Sequence, residues 1–181
     1  IKTVRRGILN LYLGFVDNKA TEPKAVAEHV LKPLIEDYLT DYKTNAAMFD
    51  EAKQPELLGL FAKTVEKLAM NKDTKPVIVS AIPVIFDHVF ETTINAITKN
   101  MDNYPDLRLK FYSLLKIIFK YCFESILALN DAQTKMMVDS VIWAMRHLHS
   151  EVADLGMDIF LVMLVNYHTS VKCNHFFQNY M

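Results

Sequence analysis

Glycine is scarce in this sequence, which has only four in 181 residues. Proteins rich in tight β-turns need glycine at positive-φ positions, so this scarcity favours an α-helical fold. Four scattered glycines also cannot build a G-x-G-x-x-G turn or a phosphate-binding loop. A nucleotide cofactor is therefore not expected.

Cysteine is rarer still, with two residues, Cys122 and Cys173. Both lie at apolar or helical positions, which suits small buried thiols in a reducing compartment. The sequence also lacks a glycosylation sequon, a signal-peptide pattern and any run of 18 apolar residues. We therefore predict neither the secretory route nor insertion into a membrane.

An excess of one charge is missing as well, because 20 basic and 21 acidic residues leave a net charge of −1. Domains that bind nucleic acid directly usually carry a strongly basic face, so that partner is not expected. Neither H-E-x-x-H nor E-x-x-H occurs, and His147 and His149, two residues apart, would lie on different faces of a helix. We predict no catalytic, metal or cofactor site.

Apolar residues recur at the three- and four-residue spacing of one helix face along the chain. The clearest stripe runs from Ile82 to Met101. Eight such stripes predict eight helices and no strand. They begin near Val4, Val26, Leu57, Ile82, Leu107, Met137, Val152 and Ser170.

Proline and polar residues mark the predicted helix boundaries. Pro23, Pro55 and Pro105 lie near helix starts, where a missing N–H costs nothing. Asp131 and Ser150 are the predicted N-caps of the sixth and seventh helices.

Every second helix carries the pattern apolar–apolar–acid–x–apolar–apolar. It occurs at Leu34–Leu39, Ile85–Phe90 and Met137–Ile142, at offsets of 51 and 52 residues, with a degenerate copy at 176–181. Helical HEAT repeats have periods of ~40–47 residues, and longer connections account for the difference. The fold class predicted is all-α, a HEAT-repeat superhelix (α-solenoid) of about four antiparallel hairpins. The hairpins fall roughly at 1–42, 53–101, 104–148 and 150–181.

Trp143 has two interpretations. Aligning the repeats on their apolar pattern puts it at the position of Glu91, opposite the apolar stripe. A tryptophan on a polar face can anchor a partner protein. Alternatively, it packs against the neighbouring repeat, because solenoid helices are flanked on more than one side.

Several stretches resemble one known family in both apolar and polar positions. They are residues 82–93, Tyr104-Pro105, residues 138–147 continued by 152–156, and 177–180. The chain is similar, in this order and over nearly its whole length, to the carboxyl-terminal half of the exportins. Exportins are importin-β-type (karyopherin) receptors, and this branch recognises leucine-rich nuclear export signals.

The resemblance implies a superhelix that wraps Ran in its GTP state and carries cargo with leucine-rich signals through nuclear pores. Nucleoporins are implied partners, and shuttling between nucleus and cytoplasm is the implied localisation. The family's signal groove, with its reactive cysteine, lies upstream of the matched region, so Cys122 and Cys173 are not assigned that role. If second helices line the concave side, the Ran-facing candidates are Asp37, Asp87, Glu91, Asp139 and Trp143.

Two other function classes compete with this interpretation. One is a HEAT-type scaffold or adaptor unrelated to nuclear transport, in which case the helical repeat is correctly predicted but the resemblance to exportins is not. The other is an all-helical enzyme, and the lack of any catalytic, metal-binding or phosphate-binding motif argues against it. Interior repeats lack polar capping faces, so we also expect apolar surface at the first and last hairpins, at Ile8, Tyr12, Phe176 and Phe177.

Overall fold

The computed structural model describes residues 2–99 and 102–181, apart from the side chains of Lys2 and Glu51. Met101, the end of the predicted fourth stripe, lies outside the described residues. The described chain is helical, without strands. Its helices are α1 (Lys2–Asp17), α2 (23–45), α3 (Pro55–Ala69), α4 (Lys75–Thr98), α5 (Pro105–Tyr121), α6 (Phe123–Ile126), α7 (Asp131–Met145), α8 (Ser150–His168) and α9 (Cys173–Tyr180).

The helices form two layers. In the first, α1 packs on α3, α3 on α5, and α5 on α8. In the second, α2 packs on α4, and α9 contacts the start of α7 through Asp131. Apolar residues between the layers form one continuous buried core. The predicted HEAT-like solenoid is therefore confirmed.

Hydrogen bonds between hairpins join residues about one repeat apart. Tyr42 Oη lies 2.8 Å from Thr93 Oγ1 in a buried pair separated by 51 residues. Lys67 Nζ donates to the carbonyl oxygens of Val16 and Asn18, at 2.8 and 2.7 Å, and so caps the end of α1. Asn166 Nδ2 does the same for Phe119 O at the end of α5. The ends of α1 and α5 are thus each completed by a side chain from the following hairpin.

Helix α4 begins at Lys75, about two turns earlier than its stripe predicted, so Pro83 lies inside it. A proline there removes the N–H that would bond to the carbonyl four residues back, on Val79. Ser125 Oγ, from α6, donates to Val79 O at 2.9 Å instead. The helix therefore continues past Pro83 without leaving that carbonyl unsatisfied. By length and hydropathy α4 could span a membrane, but half of its most apolar stretch is buried in the fold.

Helix α2 changes its hydrogen-bonding pattern along its length. It consists of α-helical Pro23–Val26, π-helical Ala27–Leu31 and Leu34–Leu39, and α-helical Thr40–Asn45. Pro33 lies between the two π-helical pieces. A proline clashes with the carbonyl four residues earlier in an α-helix, and wider turns on either side accommodate it.

Three boundary predictions need correction. The short helix α6 brings the helices in the described part of the chain to nine rather than eight, because its four residues are too few to show a period. The N-cap of α7 is Asn130, whose side chain forms a capping box with Gln133, and not Asp131. The N-cap of α8 is His149, which leaves Ser150 as the first helical residue. Pro23, Pro55 and Pro105 do begin their helices.

Candidate partner-binding face

The predicted partner-binding residues all lie on second-layer helices. Asp37 is in the π-helical part of α2, Asp87 and Glu91 are on α4, and Asp139 and Trp143 are on α7. The four carboxylates are exposed, whereas Trp143 is half-buried. We call this set the α2–α4–α7 face.

Asp87 is paired across two hairpins. Its Oδ2 accepts a hydrogen bond of 2.6 Å from Lys43 Nζ, at the end of α2. This hydrogen bond, with a smaller charge effect of the same lysine, lowers the pKa of Asp87 below its ordinary value. The carboxylate is ionised at neutral pH, but its charge is already partly compensated.

Asp139 is paired within its own helix. Lys135 Nζ, one turn earlier, lies 3.0 Å from Asp139 Oδ2. No ion pair is found for Asp37 or Glu91 among the described residues. The four acids therefore differ: two are held by lysine, and two present a carboxylate to solvent.

Glu91 borders a cleft of about 680 Å³ between the end of α4 and the loop 46–53. On the opposite wall, Asp50 Oδ1 accepts hydrogen bonds from Tyr104 Oη at 2.6 Å and Lys53 Nζ at 2.8 Å. Tyr104 has φ 55° and ψ 51°, the left-handed conformation that is uncommon for a residue other than glycine. The bond to Asp50 helps to hold it there, so this wall of the cleft is fixed.

Trp143 packs inside its own hairpin. The guanidinium carbon of Arg108, from α5, lies 5.4 Å from the centre of the Trp143 ring. Arg108 is itself buried, and its Nη2 donates to Ile97 O at 3.1 Å and Asn103 O at 2.8 Å. Trp143 therefore covers the cation that caps the end of α4. The half-exposed remainder of the indole is what a partner could contact.

The histidine pair differs from the sequence-based prediction. Because α7 ends at Met145, His147 and His149 lie in a turn, and their ring centres are 5.2 Å apart. His147 Nδ1 accepts the backbone N–H of His149 at 3.0 Å, so that nitrogen is occupied. Among the described residues, no group of three His, Cys, Asp or Glu side chains is placed to hold a metal ion. Burial raises the pKa of the Cys122 thiol to about 11, which disfavours a nucleophilic thiolate.

The sequence did not lead us to predict the two lysines that form ion pairs with Asp87 and Asp139. Lys135 could have been found, since it is four residues from Asp139 on the same helix. Lys43 is 44 residues from Asp87, and no local spacing points to it. Only the side-by-side packing of α2 and α4 brings those two together.

Comparison with known proteins gives the same family over the whole chain. The family model described as CRM1 C terminal matches residues 1–181. Protein EXPORTIN 1B of Arabidopsis thaliana is 37% identical over 180 residues, covering 99% of this chain and 16% of that protein. Exportin-1 of Drosophila melanogaster is 35% identical over 163 residues, covering 90% of this chain and 14% of that protein. The chain thus spans about a sixth of the length of these relatives.

The family match agrees with the fold, since helical hairpins follow one another through the described residues of the matched range. The predicted resemblance is thereby confirmed. The chain belongs to the CRM1 C-terminal family.

Proposed function

We propose that this chain is a helical-repeat segment of a nuclear export receptor, which carries cargo by binding rather than by catalysis. The observation that supports it most directly is the family match over residues 1–181, to a family whose curated members include proteins named exportin-1. A stack of two-layered hairpins suits such a role, because it offers a long surface on each layer.

Within this function, the α2–α4–α7 face contacts Ran in its GTP state. Support comes from its exposed acids, which recur on consecutive second-layer helices, and from the fixed cleft beside Glu91. Acids on one wall complement a basic partner surface and mainly raise the association rate at low salt. Asp37 and Glu91 contribute most, because Lys43 and Lys135 already compensate Asp87 and Asp139.

The remaining partners belong to other surfaces. Cargo with leucine-rich signals binds in a groove outside this segment, and the first-layer helices α3 and α5 face folded cargo or nucleoporins. The receptor shuttles between nucleus and cytoplasm through nuclear pores.

The test uses the full-length receptor, since the segment is a small part of it. The triple variant Asp87→Asn, Glu91→Gln, Asp139→Asn should bind Ran–GTP more weakly at low salt and converge with wild type at high salt. Each exposed pair is worth only ~0–1 kcal/mol, so the three changes are made together. Binding is measured by titration over a salt series, with circular dichroism to confirm the fold.

A matched control removes three exposed acids from first-layer helices, Asp17→Asn, Asp106→Asn and Asp154→Asn. It should leave Ran–GTP affinity unchanged. Equal affinity of the test variant and wild type at every salt concentration would show that Asp87, Glu91 and Asp139 do not contribute to Ran binding.

Substitution of the two paired lysines should have the opposite effect to substitution of the acids. Replacing Lys43 and Lys135 by Gln frees Asp87 and Asp139 while leaving the acids in place. Ran–GTP association at low salt should then become faster than in wild type. A slower association would mean that the lysines, and not the acids, face the partner.

A further inference from the structure

Helices α2, α3 and α5 each have proline as their first residue, and the residue before that proline differs in one of the three. Glu22, before α2, has φ −69° and ψ 140°, and Gln54, before α3, has φ −97° and ψ 106°. Both are extended, the conformation that a following proline favours. Tyr104, before α5, is left-handed instead, at φ 55° and ψ 51°.

Tyr104 thus has a conformation that its sequence disfavours twice. The left-handed region is costly for any residue with a Cβ atom, and the ring of a following proline pushes the residue before it towards extended geometry. Among the described residues, Tyr104 is the only one other than glycine with a positive φ. Such a conformation persists only where contacts elsewhere in the fold hold it.

The contacts that hold Tyr104 come from the loop before α3. Tyr104 Oη donates to Asp50 Oδ1 at 2.6 Å, and Lys53 Nζ donates to the same oxygen at 2.8 Å. The Lys53 ammonium also lies 5.2 Å from the centre of the Tyr104 ring. The Lys53 side chain is only 9% exposed, so its ammonium is held between the ring and the carboxylate. We call Asp50, Lys53 and Tyr104 the loop cluster.

The backbone strain and the hydrogen bond are of similar size. A hydrogen bond to a charged acceptor stabilises by about as much as a left-handed residue other than glycine costs. A single bond therefore decides between two conformations of residue 104. Breaking it leaves no charge stranded, because Asp50 keeps its ion pair with Lys53.

We propose that Tyr104 is a conformational latch with two states. While its hydroxyl is bonded to Asp50, residue 104 stays left-handed and fastens the loop 46–54 to the start of α5. When that bond breaks, residue 104 moves to the extended conformation that Glu22 and Gln54 adopt, and its ring leaves Asp50. The cleft beside Glu91 then loses this wall and widens.

Amide hydrogen exchange of the full-length receptor, followed by mass spectrometry, tests the latch. Tyr104→Phe removes the hydroxyl and keeps the ring. The N–H groups of Ala52 and Lys53, which bond to the carbonyl oxygens of Phe49 and Asp50, should then exchange about tenfold faster or more. They belong to a single 3₁₀ turn, which has little stability once the loop is unfastened.

Tyr180→Phe is the matched control. Tyr180 Oη lies 3.2 Å from Asp131 Oδ1, so the same group is removed from the same kind of bond, but Tyr180 belongs to helix α9 and carries no left-handed strain. This variant should leave exchange of the loop 46–54 unchanged, and it should change exchange around Asp131 by much less than tenfold. An effect around Asp131 as large as that of Tyr104→Phe on its own loop would overturn the proposal, because loss of any tyrosine–carboxylate bond would then suffice.

A Pro105→Ala background tests the role of strain. Alanine lifts the restriction on residue 104, so Tyr104→Phe should accelerate exchange of the loop 46–54 less there than in the presence of the proline. An equal acceleration in both backgrounds would show that strain does not drive the opening, and would overturn the two-state latch. Unchanged exchange in Tyr104→Phe itself would overturn it as well.

Discussion

At the scale of single residues, Gly156 marks the closest approach of α8 to α7. A Cβ at this position would lie 2.6 Å from Met145 N and 2.9 Å from the carbonyl carbon of Ala144. Both are backbone atoms, so neither can move aside as a flexible side chain could. Glycine is required here because no side chain fits between the two helices.

Gly156→Ala should therefore destabilise the chain by about 1–3 kcal/mol, the usual range for overpacking. Gly14→Ala is the matched control, since it lies in α1 and has nothing within 4 Å of its Cβ position. There, alanine should stabilise by roughly 0.5–1 kcal/mol through helix propensity alone. Urea unfolding gives both values, and a neutral Gly156→Ala would show that the helices separate more easily than their packing implies.

Buried tyrosines make the chain sensitive to alkali. Burial raises the pKa of Tyr42 to about 12, against a weaker opposing effect of its hydrogen bond with Thr93. Burial also raises the pKa of Tyr167 to about 12. The folded state favours the neutral phenol, so this stabilisation is complete below the unfolded pKa of about 10. It is lost as pH rises from there through about 12.

The free energy of unfolding should accordingly fall between pH 10 and pH 12. Tyr167→Phe keeps the ring, which stacks on Phe176 at 3.7 Å, and removes the ionisable hydroxyl. Its unfolding free energy should decline less steeply with pH than that of wild type. Identical slopes would mean that Tyr167 ionises as readily in the folded chain as in the unfolded one.

At the scale of an element, α4 depends on a side chain from another helix. Ser125→Ala should cost about 1–3 kcal/mol, because it leaves the Val79 carbonyl without the donor that Pro83 cannot supply. In a Pro83→Ala background the helix has its own N–H for that carbonyl. Ser125→Ala should then be nearly silent.

This double-mutant cycle isolates the compensation, because the two positions share one acceptor. Unfolding free energies of the four proteins are the measurement. Equal costs of Ser125→Ala in both backgrounds would show that the serine stabilises α6 locally and has no bearing on the proline.

At the scale of the whole molecule, hydrogen bonds join one hairpin to the next. The Tyr42–Thr93 and Lys67–Val16 bonds show this, with separations of 51 residues each. Stability in such a stack is close to a sum of hairpin and interface contributions, so it need not be uniform.

We therefore predict that the rate of amide hydrogen exchange differs between the helices of this chain. Helices α3 and α5, which are covered by first-layer neighbours on both sides, should exchange slowest. Helices α1 and α9 should exchange fastest, because each is covered on one side. Mass spectrometry of peptides resolves the helices, and uniform protection would show that the chain unfolds as one cooperative unit instead.

Most of the candidate face could be located from the sequence, since exposed acids recur at fixed positions in the repeat. Its electrostatics could not, because the Lys43–Asp87 pair depends on packing between hairpins. The end surfaces were predicted in part. Ile8 and Phe177 are exposed as expected. The expectation that Phe176 is exposed was wrong, because its ring is buried against Tyr167, on which it stacks.

The sequence by itself determined the helical class, the repeat and the family, because each depends on local spacing or on stretches of matched residues. The apolar period and the prolines that begin α2, α3 and α5 can be read from the sequence whatever the tertiary arrangement is. Only the tertiary structure decided how Pro83 is tolerated, why Gly156 is glycine and that Lys43 compensates Asp87. Those outcomes depend on atoms more than 40 residues away, or on the close approach of a neighbouring helix, and local spacing carries no information about such distances.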